Sequence, residues 1–282
     1  MEHSTHDHAQ HGHGHGHADD GQADVLDLDA EVLADHLASV VARLPLRPGP
    51  AEIVDLGAGT GTGTLALLDH FPDAHVTAVD ASAAHLQRLV GKADRAGVGD
   101  RVRTVEADLD AAWPDLGPAD LVWASASLHH VADPDLVLRR LRGVLAPGGL
   151  LAVVELAGMP RFLPDDAPAG RLEARLHAAV DRRMAEHMPH RGADWGVKLA
   201  DAGYTLEDRH TLAIDEQRPG DDAVRRYATL VVRGMRDAFA DDLPAEDLAA
   251  LDELLDDPGP EGLARRDDLV VRTERTLWAA RP

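Results

Sequence analysis

The sequence contains no cysteine, which excludes disulfide bonds and thiol catalysis. Positive charge is also scarce, since 28 Lys and Arg residues stand against 50 Asp and Glu residues, giving a formal net charge of −22. Such a chain repels phosphate backbones and anionic lipid surfaces. No apolar run approaches the ~20 residues that a bilayer span requires, and the N-terminus lacks the apolar core of a secretion signal. These absences predict a cytoplasmic protein that binds neither nucleic acid nor membrane.

The length and apolar content predict a single folded unit. A chain of 282 residues with 44% hydrophobic residues can bury a sizeable core. One α/β domain with additions accounts for this length, and a second large domain is not required.

An acid followed by closely spaced glycines lies near residue 55. The apolar run 53–56 contains Asp55, and glycines then occupy positions 57, 59, 61 and 63. Glycine at every second position permits positive φ and removes each Cβ, so a ligand could lie against backbone N–H groups at the start of the next helix. The dinucleotide fingerprint needs a glycine where Thr62 stands, so this spacing disfavours NAD.

Four more strand-like segments follow in an α/β order. Segment 75–80 ends in Asp80, segment 102–105 leads to Asp108, and segment 119–124 leads to Ser125 and then to a Leu-His-His stretch. An Asp-Pro pair at 133–134 predicts a helix start, Pro147-Gly148-Gly149 predicts its end, and 150–155 reads as a fifth buried strand.

With these motifs in this order, the chain resembles the class I S-adenosylmethionine-dependent methyltransferases of small-molecule type, over roughly residues 50 to 155 and more loosely beyond. The resemblance implies an α/β fold with a doubly wound, mostly parallel seven-stranded Rossmann-like sheet and helical insertions. It implies S-adenosyl-L-methionine as cofactor, with Asp80 on the ribose and Asp108 beside the adenine amino group. The cofactor-binding residues implied are Asp55, Gly57, Ala58, Gly59, Thr60, Gly61, Asp80, Ala81, Ala107, Asp108, Leu109 and Ser125.

Methyl transfer depends mainly on alignment of the reactants, which can supply about 7 to 11 kcal/mol, whereas a positioned base contributes about a hundred- to ten-thousand-fold. A base is therefore optional. The resemblance places the loop after the fourth strand opposite the transferable methyl, so His129 and His130 are the candidate catalytic residues. Structural hydrogen bonding is the alternative role for both histidines, and Glu155 and Tyr204 are weaker candidates.

Five segments are predicted along the chain. They are a disordered His-rich tail at 1–22, an N-terminal helix covering the cleft at 23–48, a cofactor-binding core at 49–155, a helical lid insertion at 156–192, and the C-terminal part of the sheet at 193–282 with a helical insertion at about 218–266. Within these segments, a helical pattern covers 33–44, the sixth strand is expected near 211–214, and the last strand is expected at 269–278.

The tail interleaves histidines with glycine and small polar residues and cannot pack a core. Neutral imidazoles on such a backbone can chelate metals adventitiously, and His11, His13, His15 and His17 are the candidates. No dedicated metal site is predicted, because no acid or cysteine set fixes a geometry.

The lid insertion carries candidate substrate contacts and many arginines. The lining candidates are Phe162, His177, Met184, His187 and His190. One or two of the arginines could bind a substrate carboxylate in bidentate fashion. The alternative is a solvated face offset by nearby acids. These arginines are Arg161, Arg171, Arg175, Arg182, Arg183 and Arg191.

The sequence therefore predicts a methyltransferase that moves a methyl group to a small-molecule oxygen, nitrogen or carbon acceptor by in-line displacement. A protein or RNA methyltransferase is the rival within enzymes, but the acidic charge and the lack of an Asn-Pro-Pro-Tyr type motif disfavour it. A non-catalytic module that binds S-adenosylmethionine, or holds metal with the tail, is the alternative from another class. The second helical insertion could roof the active site or form a homodimer contact.

Overall fold

A computed structural model describes residues 15–46 and 49–282, with side chains from residue 21 onward in those ranges. Seven strands form one sheet in the order β3-β2-β1-β4-β5-β7-β6. Strands β1 to β5 pair in parallel, and β7 lies antiparallel between β5 and β6. The predicted fold class is confirmed. The strands are β1 (Glu52–Leu56), β2 (His75–Asp80), β3 (Val102–Glu106), β4 (Ala119–Ser125), β5 (Leu145–Leu156), β6 (Thr205–Gln217) and β7 (Val270–Arg281).

Helices alternate with the parallel strands, and two of them begin at caps that the sequence predicts. The Ser82 hydroxyl accepts the His85 N–H at the start of α4, and Asp133 accepts the Leu136 N–H at the start of α5. The helices are α1 (His15–Val32), α2 (Ala34–Ala42), α3 (Thr62–His70), α4 (Ala83–Arg95), α5 (Pro134–Val144), α6 (Pro168–His187), α7 (Trp195–Asp201), α8 (Asp222–Ala238) and α9 (Ala245–Asp256).

Both faces of the sheet are covered. On one face, α5 and α7 pack over Val122, Leu151 and Trp278. On the other face, α2 and α3 pack over Ile53 and Leu121. Strands covered on both sides explain the continuous apolar runs that mark β1, β4 and β5 in the sequence.

A separate helical layer joins segments that are distant in the chain. Helices α1, α6, α8 and α9 share one apolar cluster. Phe162 lies fully buried inside it, with its ring centroid 5.1 Å from that of Tyr227. Helix α6 lies within the segment 156–192, and helices α8 and α9 lie within the segment 218–266. The two insertions and α1 form this layer together.

The N-terminal prediction needs correction. Residues 15–22, predicted as part of a disordered tail, begin helix α1, because its later turns bury Ala23, Leu28 and Val32 and the helix extends from that anchored part. The helix predicted at 33–44 is α2, which packs on the sheet face, and α1 is a further helix before it. The rest of the predicted tail, including His11 and His13, lies outside the described residues, and so do the side chains of His15 and His17.

Two further boundaries differ from expectation. Helix α5 ends at Val144 and β5 begins at once, so the Pro-Gly-Gly segment lies within the strand. The carbonyl of Ala119 lies 2.9 Å from where a Cβ on Gly149 would stand, so glycine lets the two strands approach. Strand β6 is much longer than predicted because it is an edge strand with mostly exposed side chains, which give a weak apolar pattern. No helix in the described part of the chain is both long and apolar enough to cross a bilayer.

Candidate active site

The glycine turn after β1 lies at the carboxyl edge of the sheet, and close packing explains its glycines. Gly57 and Gly61 both have positive φ, of 73° and 93°. A Cβ on Gly57 would stand 2.3 Å from Ser127 Cβ, and one on Gly61 would stand 2.6 Å from Leu89. The turn is thereby fitted between the loop after β4 and helix α4.

The sequence analysis expected a ligand to lie against the N–H groups of the turn, but in the structure several of these groups bond to the protein itself. The N–H groups of Gly57 and Ala58 donate to the Val79 carbonyl at 2.8 and 2.9 Å, and that of Gly61 donates to Ala58 at 2.9 Å. The Gly59 N–H donates to Asp80 at 2.8 Å. These N–H groups hold the turn against β2, so they are not free donors for a ligand.

Asp55 supports the turn from beneath. Its carboxylate is 2% exposed and accepts the Thr64 hydroxyl at 2.6 Å, which ties β1 to the first turn of α3. Burial raises the pKa of Asp55 to about 7, Thr64 opposes that rise, and the charge of Asp80 adds to it. Asp55 was predicted at the cofactor, but the structure places it in the interior.

Asp80 lies at the end of β2 with both carboxylate oxygens on backbone donors. Oδ2 accepts the Gly59 N–H and Oδ1 accepts the Ser82 N–H, both at 2.8 Å. The buried His85 ring approaches Oδ1 with its Nδ1 at 3.5 Å. The sequence analysis did not single out His85, although its position just after the Ser82 cap places it beside Asp80.

Helix α1 lies directly over the glycine turn. The Thr60 hydroxyl donates to Asp27 at 2.6 Å, and Lys92 on α4 contacts both Asp27 and Thr60. A Cβ on Gly59 would stand 3.3 Å from Leu26, so this side chain covers the turn at Gly59. The helix over the turn is thus α1 and not the helix at 33–44 that the sequence analysis expected to cover the cleft.

The other predicted cofactor residues line the same edge of the sheet. Ala81 and Asp108 are exposed there, Ala107 donates its N–H to the Asp80 carbonyl at 3.0 Å, and Leu109 is partly buried. Ser125 pairs with Val154 at the end of β4.

The loop after β4 brings a histidine and a carboxylate together. His129 Nδ1 lies 2.6 Å from Glu155 Oε2, and both side chains are buried. The second Glu155 oxygen accepts the Leu128 N–H at 3.1 Å. Since β4 and β5 are neighbouring parallel strands, the end of β5 lies beside the loop that follows β4. Glu155 thus fixes the His129 ring.

The same loop holds a strained residue and an accessible second histidine. Ala126 has a φ of 50°, a left-handed conformation that non-glycine residues rarely adopt, and its N–H donates to the Val154 carbonyl at 2.8 Å. His130 is exposed, yet desolvation by surrounding protein lowers its pKa, and the charges of His129 and Arg191 lower it further while Glu155 opposes them. An accessible ring enclosed in this way is typical of a cleft.

Comparison with known proteins agrees with this geometry. Residues 53–149 match the family described as Methyltransferase domain. These residues form a class I methyltransferase domain.

Curated relatives match this methyltransferase domain and its flanks. A trans-aconitate 2-methyltransferase of Paracidovorax citrulli (strain AAC00-1) is 41% identical over 115 residues, which are 40% of this chain and 42% of that protein. The 27-O-demethylrifamycin SV methyltransferase of Amycolatopsis mediterranei (strain S699) is 38% identical over 143 residues, 50% of this chain and 48% of that protein. The chain spans about half the length of these relatives or less.

A solved structure extends the likeness in fold to most of the chain. The YcgJ protein of Bacillus subtilis superimposes with a TM-score of 0.53 at 16% identity, over 88% of this chain and 98% of that one. This likeness concerns the fold alone.

Outside the methyltransferase domain, several candidate residues prove to be structural. The Tyr204 hydroxyl donates to the Leu138 carbonyl at 2.9 Å, and burial raises the pKa of Tyr204 above its usual range. Met184 packs against the helical layer, as the buried Phe162 does. His187 is exposed and its Nδ1 lies 2.9 Å from the Arg183 carbonyl.

His177 is the exception among the lid candidates. Its side chain is 2% exposed, and its Nε2 has no hydrogen-bond partner in the described part of the chain. Burial lowers the pKa of His177 to about 4, with the charges of Arg161, Arg191 and Arg272 adding to that effect, so the ring is neutral at pH 7.

A groove of about 360 Å³ lies between α2 and α3. Its walls include Leu37, Leu65 and Lys92, and none of the predicted cofactor residues. One wall of the groove adjoins the glycine turn, because Lys92 contacts Thr60.

Proposed function

We propose that the chain is an S-adenosylmethionine-dependent methyltransferase acting on a small-molecule oxygen, nitrogen or carbon acceptor by in-line displacement. One arrangement carries the proposal: the glycine turn, Asp80 and the His129–Glu155 pair converge at the carboxyl edge of a methyltransferase sheet. The names of the curated relatives, both small-molecule methyltransferases, support the substrate class.

The residues at this edge fit the cofactor. Asp80 uses one acceptor position of each oxygen on a backbone N–H, and a carboxylate has about four such positions, so acceptors remain for ribose hydroxyls. Asp108 would lie beside the adenine amino group. When bound, the cofactor supplies an electrophilic methyl group.

The protein's own contribution is alignment and proton removal. Glu155 holds Nδ1 of His129, which leaves Nε2 as the nitrogen that would accept a proton from an acceptor hydroxyl or ammonium. The nearby carboxylate would stabilise the resulting imidazolium, as in other carboxylate–histidine pairs. Helix α1 and the lid would exclude water from the acceptor.

Calorimetry with S-adenosylmethionine, S-adenosylhomocysteine and NAD tests the cofactor assignment. We expect binding of the first two only. Asp80→Asn should weaken both by roughly tenfold or more, because the variant loses the charge while keeping one oxygen for the turn. Asp73→Asn, an exposed position between α3 and β2, is the matched control. Equal binding of NAD would contradict the assignment.

The base assignment is tested with His129→Gln and Glu155→Gln. With an oxygen or nitrogen acceptor found by screening, we expect kcat to fall by about a hundred-fold or more and cofactor affinity to stay unchanged. A His130→Gln variant with the same loss would transfer the role to that residue.

Turnover separates this proposal from the non-catalytic alternative. Production of S-adenosylhomocysteine with any acceptor in a broad library supports catalysis. Tight cofactor binding without turnover across that library would favour the binding module, and would count against the role of His129.

A further inference from the structure

The arginines around the lid fall into two groups. Four of them are already engaged: Arg175 pairs with Asp247 and Arg183 with Asp242, both at 2.7 Å, while Arg171 and Arg182 donate to backbone carbonyls. In the described part of the chain, the guanidinium groups of Arg161 and Arg191 make no hydrogen bond or ion pair. Other arginines without such partners, namely Arg103, Arg139, Arg226 and Arg265, are exposed, whereas Arg161 and Arg191 are half-buried.

Backbone geometry brings Arg161 to the lid helix. Arg161 and Arg272 exchange two N–H···O bonds of 2.9 Å, a pairing that puts both side chains on one face. The next two N–H groups, of Phe162 and Leu163, donate to Glu173 at 2.8 and 3.1 Å. His177 lies one turn after Glu173, on the same face of α6. Arg161, Arg272 and His177 are therefore neighbours.

Arg191 approaches the same place from the other end of the lid. It follows α6 in a turn completed by Gly192, whose φ is 72°. Its charge acts on His177 of the lid and on His130 of the loop after β4. The Arg191 charge thus reaches both the lid and the candidate catalytic loop.

Acids act on these arginines as well: Asp165 and Glu173 interact electrostatically with Arg161, and Asp181 does so with Arg191. Arg272 is paired with Asp165 and also donates to the Leu163 carbonyl at 2.6 Å. Arg161 and Arg191 form no hydrogen bond or ion pair, and burial lowers the pKa of Arg191 while the charge of Asp181 opposes that shift. A half-buried guanidinium that makes no hydrogen bond costs free energy, which an arriving anion would offset. The buried, unpartnered His177 Nε2 adds a second unsatisfied polar group at this site.

We propose that Arg161 and Arg191 bind a carboxylate group of the methyl acceptor, with His177 beside it. The inference rests on the proposed function and names its substrate class as organic acids. Two unpaired guanidinium groups suit one carboxylate, since each can donate to one of its oxygens. Bound there, the acid would lie between the lid and the His129 loop.

Succinate, with succinamide as its uncharged analogue, tests the subsite. Long-range 15N NMR of histidine side chains follows His177 and His130, with their signals assigned from His177→Gln and His130→Gln. We expect succinate to shift both signals saturably in the presence of S-adenosylhomocysteine, and succinamide to leave them unchanged. Arg161→Gln and Arg191→Gln should each weaken succinate binding by roughly ten- to hundred-fold. Arg182→Gln, at an exposed position on α6, should not.

Each outcome decides the proposal. Equal shifts from succinate and succinamide, or full affinity in both arginine variants, would overturn it. Tighter binding of inorganic phosphate, lost in the same variants, would reassign the site to phosphorylated substrates and reject the carboxylate. S-adenosylhomocysteine affinity is measured in parallel for every variant. If the unaltered protein does not bind S-adenosylhomocysteine, the proposed function is rejected. If it binds S-adenosylhomocysteine but does not respond to succinate, only the carboxylate subsite is rejected.

Discussion

At the scale of single residues, the carboxylates near the glycine turn differ in their partners. Asp55 is buried with one hydroxyl donor, Asp80 accepts two backbone N–H groups, and Glu155 holds a histidine and a backbone N–H. Asp80 and Glu155 are placed at the strand ends where ligands of open α/β sheets bind. Asp55 lies beneath that edge and its role is to hold the turn.

The raised pKa of Asp55, about 7, makes stability depend on pH. Folding favours the protonated form, so the stabilisation is fully present below the usual pKa near 4 and is lost as pH rises through 7. We expect Asp55→Asn to raise the free energy of unfolding by about 1–2 kcal/mol at pH 8.5 and to change it little at pH 4.5. Urea unfolding at the two pH values measures this. Asp73→Asn should show no such difference, and a loss of stability in Asp55→Asn at pH 8.5 would contradict the argument.

The residue types of the site could be predicted from the sequence, but their pairing could not. Asp80, His129 and Glu155 follow apolar runs and are visible as candidates. The 2.6 Å contact between His129 and Glu155 depends on the adjacency of β4 and β5 and on the loop that Ala126 bends. The lack of hydrogen-bond and ion-pair partners at Arg161 and Arg191 could not be predicted either, because it is seen only when the partners of the other arginines are known.

At the scale of elements, helix α1 links the glycine turn to the helical layer. Asp27 contacts Thr60 and Lys92, while Asp29 accepts the Tyr227 hydroxyl at 2.6 Å and pairs with Arg275 at 2.6 Å. These aspartates lie on one helix, but their partners come from α4, α8, β7 and the glycine turn. An acid in such a segment looks solvated in the sequence, which explains why the pattern of α1 could not be recognised.

Breaking the contact between α1 and α4 should loosen α1 selectively. We expect Lys92→Gln and Asp27→Asn each to cost about 0.5–1 kcal/mol. The double variant should cost less than their sum, because both variants break the same Asp27–Lys92 pair, while Asp27→Asn also weakens the Asp27–Arg88 pair. Hydrogen exchange should rise in residues 21–32 and stay unchanged in β4 and β5. Strict additivity of the two changes would show that the pair does not couple the helices.

The strands were easier to predict than the insertions. The runs at β1, β2, β4 and β5 are apolar because both faces of the sheet are covered, and glycine or acid follows each run. The edge strand β6 and the packing of α8 and α9 against α1 depend on contacts with distant parts of the chain, so local pattern alone could not give them.

At the scale of the whole molecule, the net charge of −22 opposes compaction. Salt should screen this self-repulsion, since the Debye length falls from about 30 Å at 0.01 M to about 8 Å at 0.15 M. We expect Tm to rise by a few degrees over that range of NaCl. Calorimetric scans measure the shift, with an equal osmolarity of sucrose as control. A fall in Tm would mean that salt weakens stabilising ion pairs, such as Asp29 with Arg275, by more than it relieves the self-repulsion.

The position of Leu26 and Asp27 over the turn has a kinetic consequence. If the nucleoside can enter only after α1 lifts, the association rate measured by stopped flow should reach a plateau at high ligand concentration, and that plateau equals the rate at which the helix opens. A variant that weakens the Asp27–Lys92 contact would then raise this plateau rate. The second-order association rate constant, measured at low ligand concentration, would rise by a smaller factor. The rate of nucleoside entry would then be set by α1, a helix that lies outside the matched methyltransferase domain.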